Sequence, residues 1–519
     1  MTITTHTLFT MTSIATHTQE QSTENKLFVE NYKILQSAPE ATEETSLTHN
    51  YHTVDIVTNK LSTMSLKEML FALNIDRSGS MGALASDGYS SLQHTIHTTK
   101  NIIDYLEELK EENPEIDVGV IVNAFDGEMK TIGYLKIGNN KEKQEYIKNL
   151  EKLTPRGSTN ISDAFQAIKE DEIYKSTPDD KKAHILMTDG RPNIGKNSAN
   201  GILESNPGGT QICIGYGTDH DAKLLQNIAE KSNGDYHFVD SIENAGMVYG
   251  EVIHSLLYCA VKDIKIQVTG AEVYDFTKNI WTSSVGFSSF ASEHTQSLIL
   301  RSGWDSVHTV SVNIVYTESG NKVKHSKTDV FNSYNCTNGE AKTDERDTHV
   351  EKQMFRQRTM DGLFRAKNVE YIDRQSLKKE LIILENEIKA FMKTNNLEDD
   401  SFMQKLVADV YVAYNGMDSH CGVAFIGSRL TSQGNQRAYE VNNLEALSNA
   451  TTAIFGSVRG GPESMRRSSA PSLNQGQSQR QESFTMRAPQ NLRQASCYTT
   501  PTQAAVMRVC SQQPDTNDN

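Results

Sequence analysis

The sequence predicts an α/β fold. A parallel sheet covered by helices on both faces is followed by a small antiparallel β module and an α-helical module, with disordered termini. Three observations predict it. Between Leu66 and Leu257, short unbroken apolar runs alternate with helical patterns. Strands without polar alternation, separated by helices, belong to a parallel sheet buried on both faces. From Ala260 to Val330 the strand patterns alternate apolar and polar residues, as in a sheet with one wet face. From Asp347 to Tyr414, apolar residues recur at spacings of three and four. The expected boundaries are 1–46 for a disordered segment, 47–257 for the α/β domain with a preceding strand, and 258–346 for the β-sandwich-like module. They continue with 347–455 for the helical module and 456–519 for a disordered tail.

Residues 1–46 are rich in Thr, Ser, Gln and Glu and show little hydrophobic periodicity, so no element is expected there. Thr53–Val57 alternates and could pair with the later antiparallel sheet. Met69–Ile75, Val118–Val122, Ala183–Met187 and Gln211–Gly215 are the buried-strand runs. Ser90–Lys110, Ile161–Tyr174, Asp221–Ser232 and Ser241–Leu257 read as the helices between and after them. Asp263–Val268, Gln296–Leu300 and Thr309–Tyr316 are the strands of the second module. Leu377, Leu381, Leu384, Ile388 and Phe391 form one helical stripe, and Phe402, Leu406, Val410 and Ala413 a second. Two heptads are too few for a free coiled coil, so the expectation is a packed hairpin, the alternative a partner-binding helix.

Composition narrows the function classes. The chain has 519 residues and a net charge of −15, which argues against broad nucleic-acid binding by the folded part. Six cysteines without a CxxC pair support neither a disulfide framework nor a structural zinc site, and favour a reducing, cytoplasmic setting. No apolar stretch approaches the ~20 residues of a membrane span, and the first residues do not read as a secretory signal. Residues 456–519 carry seven Arg against four acids, a net +3, which leaves −18 on residues 1–455. That tail is either simply solvated, a phosphorylation region around Arg466–Ser469, or a weak polyanion binder. His94 and His97, three apart on a helix without a third ligand, read as surface histidines, and His420–Cys421 has no visible partner.

The chemistry sits where the first buried strand ends. There follows Asp76-Arg77-Ser78-Gly79-Ser80, a carboxylate and two hydroxyls spaced by two. Open α/β sheets place ligands at the carboxyl ends of their strands. The three side chains offer hard oxygen donors suited to Mg²⁺. A later helix opens with Gly157-Ser158-Thr159-Asn160, and the third strand run is followed by Thr188-Asp189-Gly190. Both lie on the same sheet edge by topology, so Thr159 and Asp189 can join Asp76, Ser78 and Ser80.

With these five residues in order, the region of about residues 50–257 resembles a von Willebrand factor type A (VWA) domain with a metal-ion-dependent adhesion site. The resemblance implies a Rossmann-like doubly wound sheet. It implies that Ser78, Ser80 and Thr159 contact Mg²⁺ or Mn²⁺ directly, and that Asp76 and Asp189 act mainly through bound water. It further implies a partner protein that offers an Asp or Glu carboxylate to the ion. Two carboxylates balance the divalent charge, the hydroxyls add none, and the ion stays electrophilic. No general base stands beside the motif, and neither a phosphate loop nor a RING-type cysteine pattern is present, so the chain reads as a binding protein and not an enzyme. Two departures from the family pattern are Arg77 between the first two motif residues and a long loop, Ala83–Tyr89, before the first helix. The expected function is cation-dependent protein binding in a multidomain scaffold, with oligomerisation through the helical module as an option. The alternative is a structural or assembly role in which the metal only stabilises the fold.

Overall fold

The computed structural model describes residues 34–37, 49–61, 67–84, 88–217, 220–232, 234–239, 244–303, 307–318, 320–332, 348–439 and 496–512. The chain starts with two strands, β1 (Ile34–Ser37) and β2 (His49–Val57). The α/β domain then runs β3 (Glu68–Asp76), α1 (Ser91–Glu112), β4 (Asp117–Phe125), β5 (Met129–Lys136), α2 (Asn140–Glu151), α3 (Ile161–Glu170), α4 (Glu172–Ser176) and β6 (Lys182–Thr188). It ends with α5 (Ala199–Leu203), β7 (Thr210–Tyr216), α6 (Ala222–Lys231), β8 (Asp235–Val239) and α7 (Ala245–Leu257).

The four predicted strand runs are β3, β4, β6 and β7, and they are buried almost end to end. The sheet order is β5-β4-β3-β6-β7-β8. It is mixed and not purely parallel, because β5 pairs antiparallel with β4 at one edge. An edge strand needs only one buried face, so the half-exposed run MKTIGYLK lacks the signal of the inner strands. Strand order reverses between β3 and β6, and this is the switch point at which such sheets form a crevice. The predicted helix over Ile161–Tyr174 is two helices, because the Asp171 side chain leaves the first and caps the second by accepting from the Ile173 and Tyr174 amides.

Seven more strands follow: β9 (Cys259–Thr269), β10 (Glu272–Asp275), β11 (Ile280–Thr282), β12 (Ser284–Ala291), β13 (Thr295–Gly303), β14 (Val307–Glu318) and β15 (Asn321–Asn332). They form two antiparallel sheets, β1-β2-β13-β10-β11 and β12-β9-β14-β15. Alternate residues Ile264, Ile266 and Val268 of β9, Val310, Val312 and Ile314 of β14, and Val54 and Ile56 of β2 fill the core between them. This is the expected sandwich. β2 pairs along its length with β13, the pairing that the alternation of Thr53–Val57 suggests, so this strand, grouped with the α/β domain in the expected boundaries, belongs to the sandwich. β1 pairs with β2, so the expected disordered segment 1–46 contributes a strand.

The helical module comprises α8 (Thr348–Asn368), α9 (Arg374–Thr394), α10 (Ser401–Gly416) and α11 (His420–Asn435). The expected hairpin is α9 against α10, and it is half of a four-helix arrangement with α8 and α11. Leu377, Leu381, Leu384, Ile388, Leu406, Val410 and Ala413 are buried as the stripes predict. Arg356 of α8 joins this module to the sandwich by donating to the Ser297 carbonyl at 2.9 Å and to the Gln433 carbonyl.

The tail expected to be disordered contains α12 (Pro501–Cys510). Thr500 and Gln503 form a capping box, and Pro501 occupies the first turn. α12 lies against α7 and α1, burying Val506, Met507 and Cys510. His97, expected at the surface, donates to the Gln512 carbonyl at 2.6 Å, and His94 is buried. The contact with α7 is backbone to backbone: a Cβ on Gly250 would stand 2.5 Å from the Met507 Cα. Gly250→Ala should therefore displace α12 at a cost of about 3 kcal/mol, the upper end for overpacking. Limited proteolysis would then cut at residues 496–512 in the variant and spare them in the wild type.

Candidate metal site

Two strand ends and one helix start converge at the switch point. β3 delivers Asp76, fully buried, and the chain turns at once through a short 3₁₀ segment, Gly79–Gly82. The Asp76 carboxylate accepts from the Ser78 amide at 2.7 Å and from the Thr188 hydroxyl, at the end of β6, at 2.5 Å. The Ser78 and Ser80 hydroxyls lie 3.1 Å apart, and Ser80 donates to Asp189 at 2.7 Å. Thr159 enters from the turn before α3, its amide donating to the Asn193 side chain at 2.9 Å. Its hydroxyl borders Gly190 together with that of Ser80, since a Cβ on Gly190 would stand 3.0 Å from Thr159 Oγ1 and 3.8 Å from Ser80 Oγ. The structure thus brings Asp76, Ser78, Ser80, Thr159 and Asp189 to one place. Asp76, Ser78 and Thr159 are buried behind it, while Ser80 is exposed and Asp189 half-exposed at its mouth.

The electrostatics are those of a site short of positive charge. Burial, aided by the like charge of Asp189, pushes the Asp76 carboxyl up to about 7 against the hydrogen bonds from Thr188 and Ser78. Arg77 offers no relief, because it turns inward to Asp126 with an Nη2–Oδ2 distance of 3.0 Å. This settles one departure noted in the sequence: Arg77 serves the interior. Of the long loop, Leu84 and Gly88 are exposed and Tyr89 packs edge-on to His94, while Asp87 lies outside the described residues. Two carboxylates and three hydroxyls, all hard oxygen donors, fit a divalent cation of the Mg²⁺ type. Among the described residues no group of three or more His, Cys, Asp or Glu is placed to hold a metal ion, and here hydroxyls make up the larger part of the donor set.

Sequence reasoning missed Thr188, Asn193, Asp126 and Arg156. Thr188 adjoins Asp189 and could have been found as a hydroxyl at a strand end. Asp126 stands directly after a buried strand run, the same signal that singled out Asp76.

Residues 71–249 match the family model of the von Willebrand factor type A domain. A von Willebrand factor type A structure from Catenulispora acidiphila aligns at 14% identity and TM-score 0.44, over 81% of this chain and 94% of that one. The ArnB paralog VWA2 from Sulfolobus acidocaldarius aligns at 13% identity and TM-score 0.39, over 75% and 97%. Proximal thread matrix protein 1 from the mussel byssus, in a structure with a zinc-occupied MIDAS motif, aligns at 22% identity and TM-score 0.30, over 38% and 50%. No curated protein matches the chain.

Proposed function

We propose that this chain, whose residues 71–249 form a VWA domain, binds an acidic protein partner through a divalent cation held by Asp76, Ser78, Ser80, Thr159 and Asp189. Mg²⁺ or Mn²⁺ suits these donors. The observation that carries the reading is Asp76: a fully buried carboxylate, pushed up to about 7, in a cluster of hydroxyls. When bound, the ion supplies the missing positive charge and an electrophilic position for an incoming carboxylate. Ser78, Ser80 and Thr159 present hydroxyl oxygens, and Asp76 and Asp189 supply the balancing charge. Thr188 and the Ser78 amide fix Asp76 in one orientation. Ser80 and Asp189, the more accessible pair, mark the side from which a partner approaches. The sandwich and the helical module serve as the scaffold, and no catalytic role is assigned. No helix among the described residues is long and apolar enough to cross a membrane.

The test is capture with the immobilised full chain from its source extract, in Mg²⁺ and in EDTA. The reading expects proteins that are retained in Mg²⁺ and released by EDTA. The same retained set in both buffers, with a melting temperature that still rises on adding Mg²⁺, would reduce the ion to a structural role.

A further inference from the structure

Beneath the five-residue cluster lies a second charged group that the proposed function does not use. Asp126 follows β4 directly and is 2% exposed. One carboxylate oxygen receives Arg77 Nη2 at 3.0 Å and Arg156 Nε at 2.7 Å. The other accepts the Glu128 amide at 2.7 Å. The backbone repeats the same links. The Arg77 amide donates to the Phe125 carbonyl at 2.8 Å, and the Arg77 carbonyl accepts the Arg156 amide at 2.7 Å. The Gly79 amide reaches the Gly157 carbonyl at 3.2 Å, and the Asn160 amide donates to the Asp126 carbonyl at 2.9 Å.

We propose that Asp126 is the positioning residue of the metal site, holding the Asp76–Ser80 turn and the Arg156–Thr159 turn in register through Arg77 and Arg156. This rests on the metal-binding reading above. Arg77 lies between Asp76 and Ser78. With its guanidinium drawn inward to Asp126, the flanking side chains are left for the site. Arg156 lies three residues before Thr159 and shares the same carboxylate oxygen, so one atom ties together the two turns that supply Asp76, Ser78, Ser80 and Thr159. The two guanidiniums and the Glu128 amide occupy both oxygens of Asp126. Residues that orient metal ligands in this way typically account for about 10–100-fold in affinity.

Arg156→Ala is the decisive variant, because the side chain is 52% exposed and its removal leaves the Arg77–Asp126 pair buried and intact. Asp126→Asn is the stronger one. Mn²⁺ affinity is measured by calorimetry on the full chain, beside the melting temperature in EDTA. The expected result is Mn²⁺ binding weakened by about tenfold or more in Asp126→Asn and by at least about threefold in Arg156→Ala. The melting temperature of Arg156→Ala in EDTA should match the wild type, which a merely structural role would not combine with lost affinity. Wild-type Mn²⁺ affinity in a folded Arg156→Ala overturns the positioning role. A wild type that binds no Mn²⁺ overturns the metal-binding reading itself, and this inference with it.

Discussion

Asp76→Asn is expected to abolish Mg²⁺ binding and, in EDTA at about pH 8, to raise the melting temperature by a few degrees. The two effects share one cause. In the metal-free protein the Asp76 carboxyl is shifted from its ordinary 3.8 up to about 7 by burial. An acid whose folded pKa is raised contributes stability that is complete below its unfolded value and is lost as pH rises through the folded one. Between about pH 4 and 7 the metal-free fold therefore loses about 4 kcal/mol at this residue, at 1.36 kcal/mol per unit. Asparagine carries no charge to bury and escapes that loss. It keeps one acceptor for the Ser78 amide and gains an N–H donor, so the Thr188 hydroxyl has to turn from donor to acceptor, and exchanging two charge-assisted bonds for neutral ones returns about 1–3 kcal/mol. The net gain is small but positive. Saturating Mg²⁺ reverses the order, since a ligand at a hundred times its Kd adds about 2.7 kcal/mol to the wild type and nothing to the variant. Thermal scans of both proteins in Mg²⁺ and in EDTA would show this crossing. A variant that melts lower in EDTA yet still gains from Mg²⁺ would sink the argument.

The parts of the fold that the sequence revealed are those where burial alone dictates residue type. The inner strands had to be mostly apolar along both faces, and they read as such despite buried Asn74, Asn123, His184 and Gln211. The five candidate ligands were visible because three follow strand ends or helix starts in a fixed order. What stayed hidden depends on pairing. Strand β5 buries one face, so its apolar residues are interrupted by Lys130, Thr131 and Gly133. The alternation of Thr53–Val57 points β2 to the later sheet, but β13 lies more than 200 residues away, and nothing local announces the register or that β1 joins it. Arg77 and Asp126 are 49 positions apart, and a charged residue beside a metal motif gives no sign of which way it points. Helix α12 did have a local signal, Thr500-Pro501 with Gln503, but the composition of the surrounding tail outweighed ten residues of periodicity. Composition averages over a window, and a short docked helix falls below that resolution.

Asp409→Ala is expected to cost 3–5 kcal/mol, most of it in the helical module, although Asp409 is far in sequence from any candidate ligand. Asp409 and Arg429 are both fully buried, joining α10 to α11 at 2.7 Å. Gln433 donates to the second carboxylate oxygen at 2.6 Å. Truncation leaves the buried guanidinium without its carboxylate and beside Lys405, and its desolvation is no longer offset. The loss spreads through two neighbours. Lys405 is buried beside the pair, and desolvation already pulls its ammonium down to about 8 against the attraction of Asp409. Without Asp409 it sheds its proton more readily still, so the variant should regain part of its stability as pH rises. Gln433 presents its own carbonyl to Arg356, which bonds Ser297 of the sandwich. Loosening Gln433 therefore weakens the junction between the two modules as well as the bundle. Replacing both partners with apolar residues, as in Asp409→Leu with Arg429→Met, removes that ion pair as a unit and should recover part of the loss, while Lys405 and Gln433 still lose Asp409. Urea unfolding followed by far-ultraviolet circular dichroism separates the cases. A single variant within about 1 kcal/mol of wild type would mean that water reaches this pair in solution, because an exposed ion pair of the same geometry is worth no more than that.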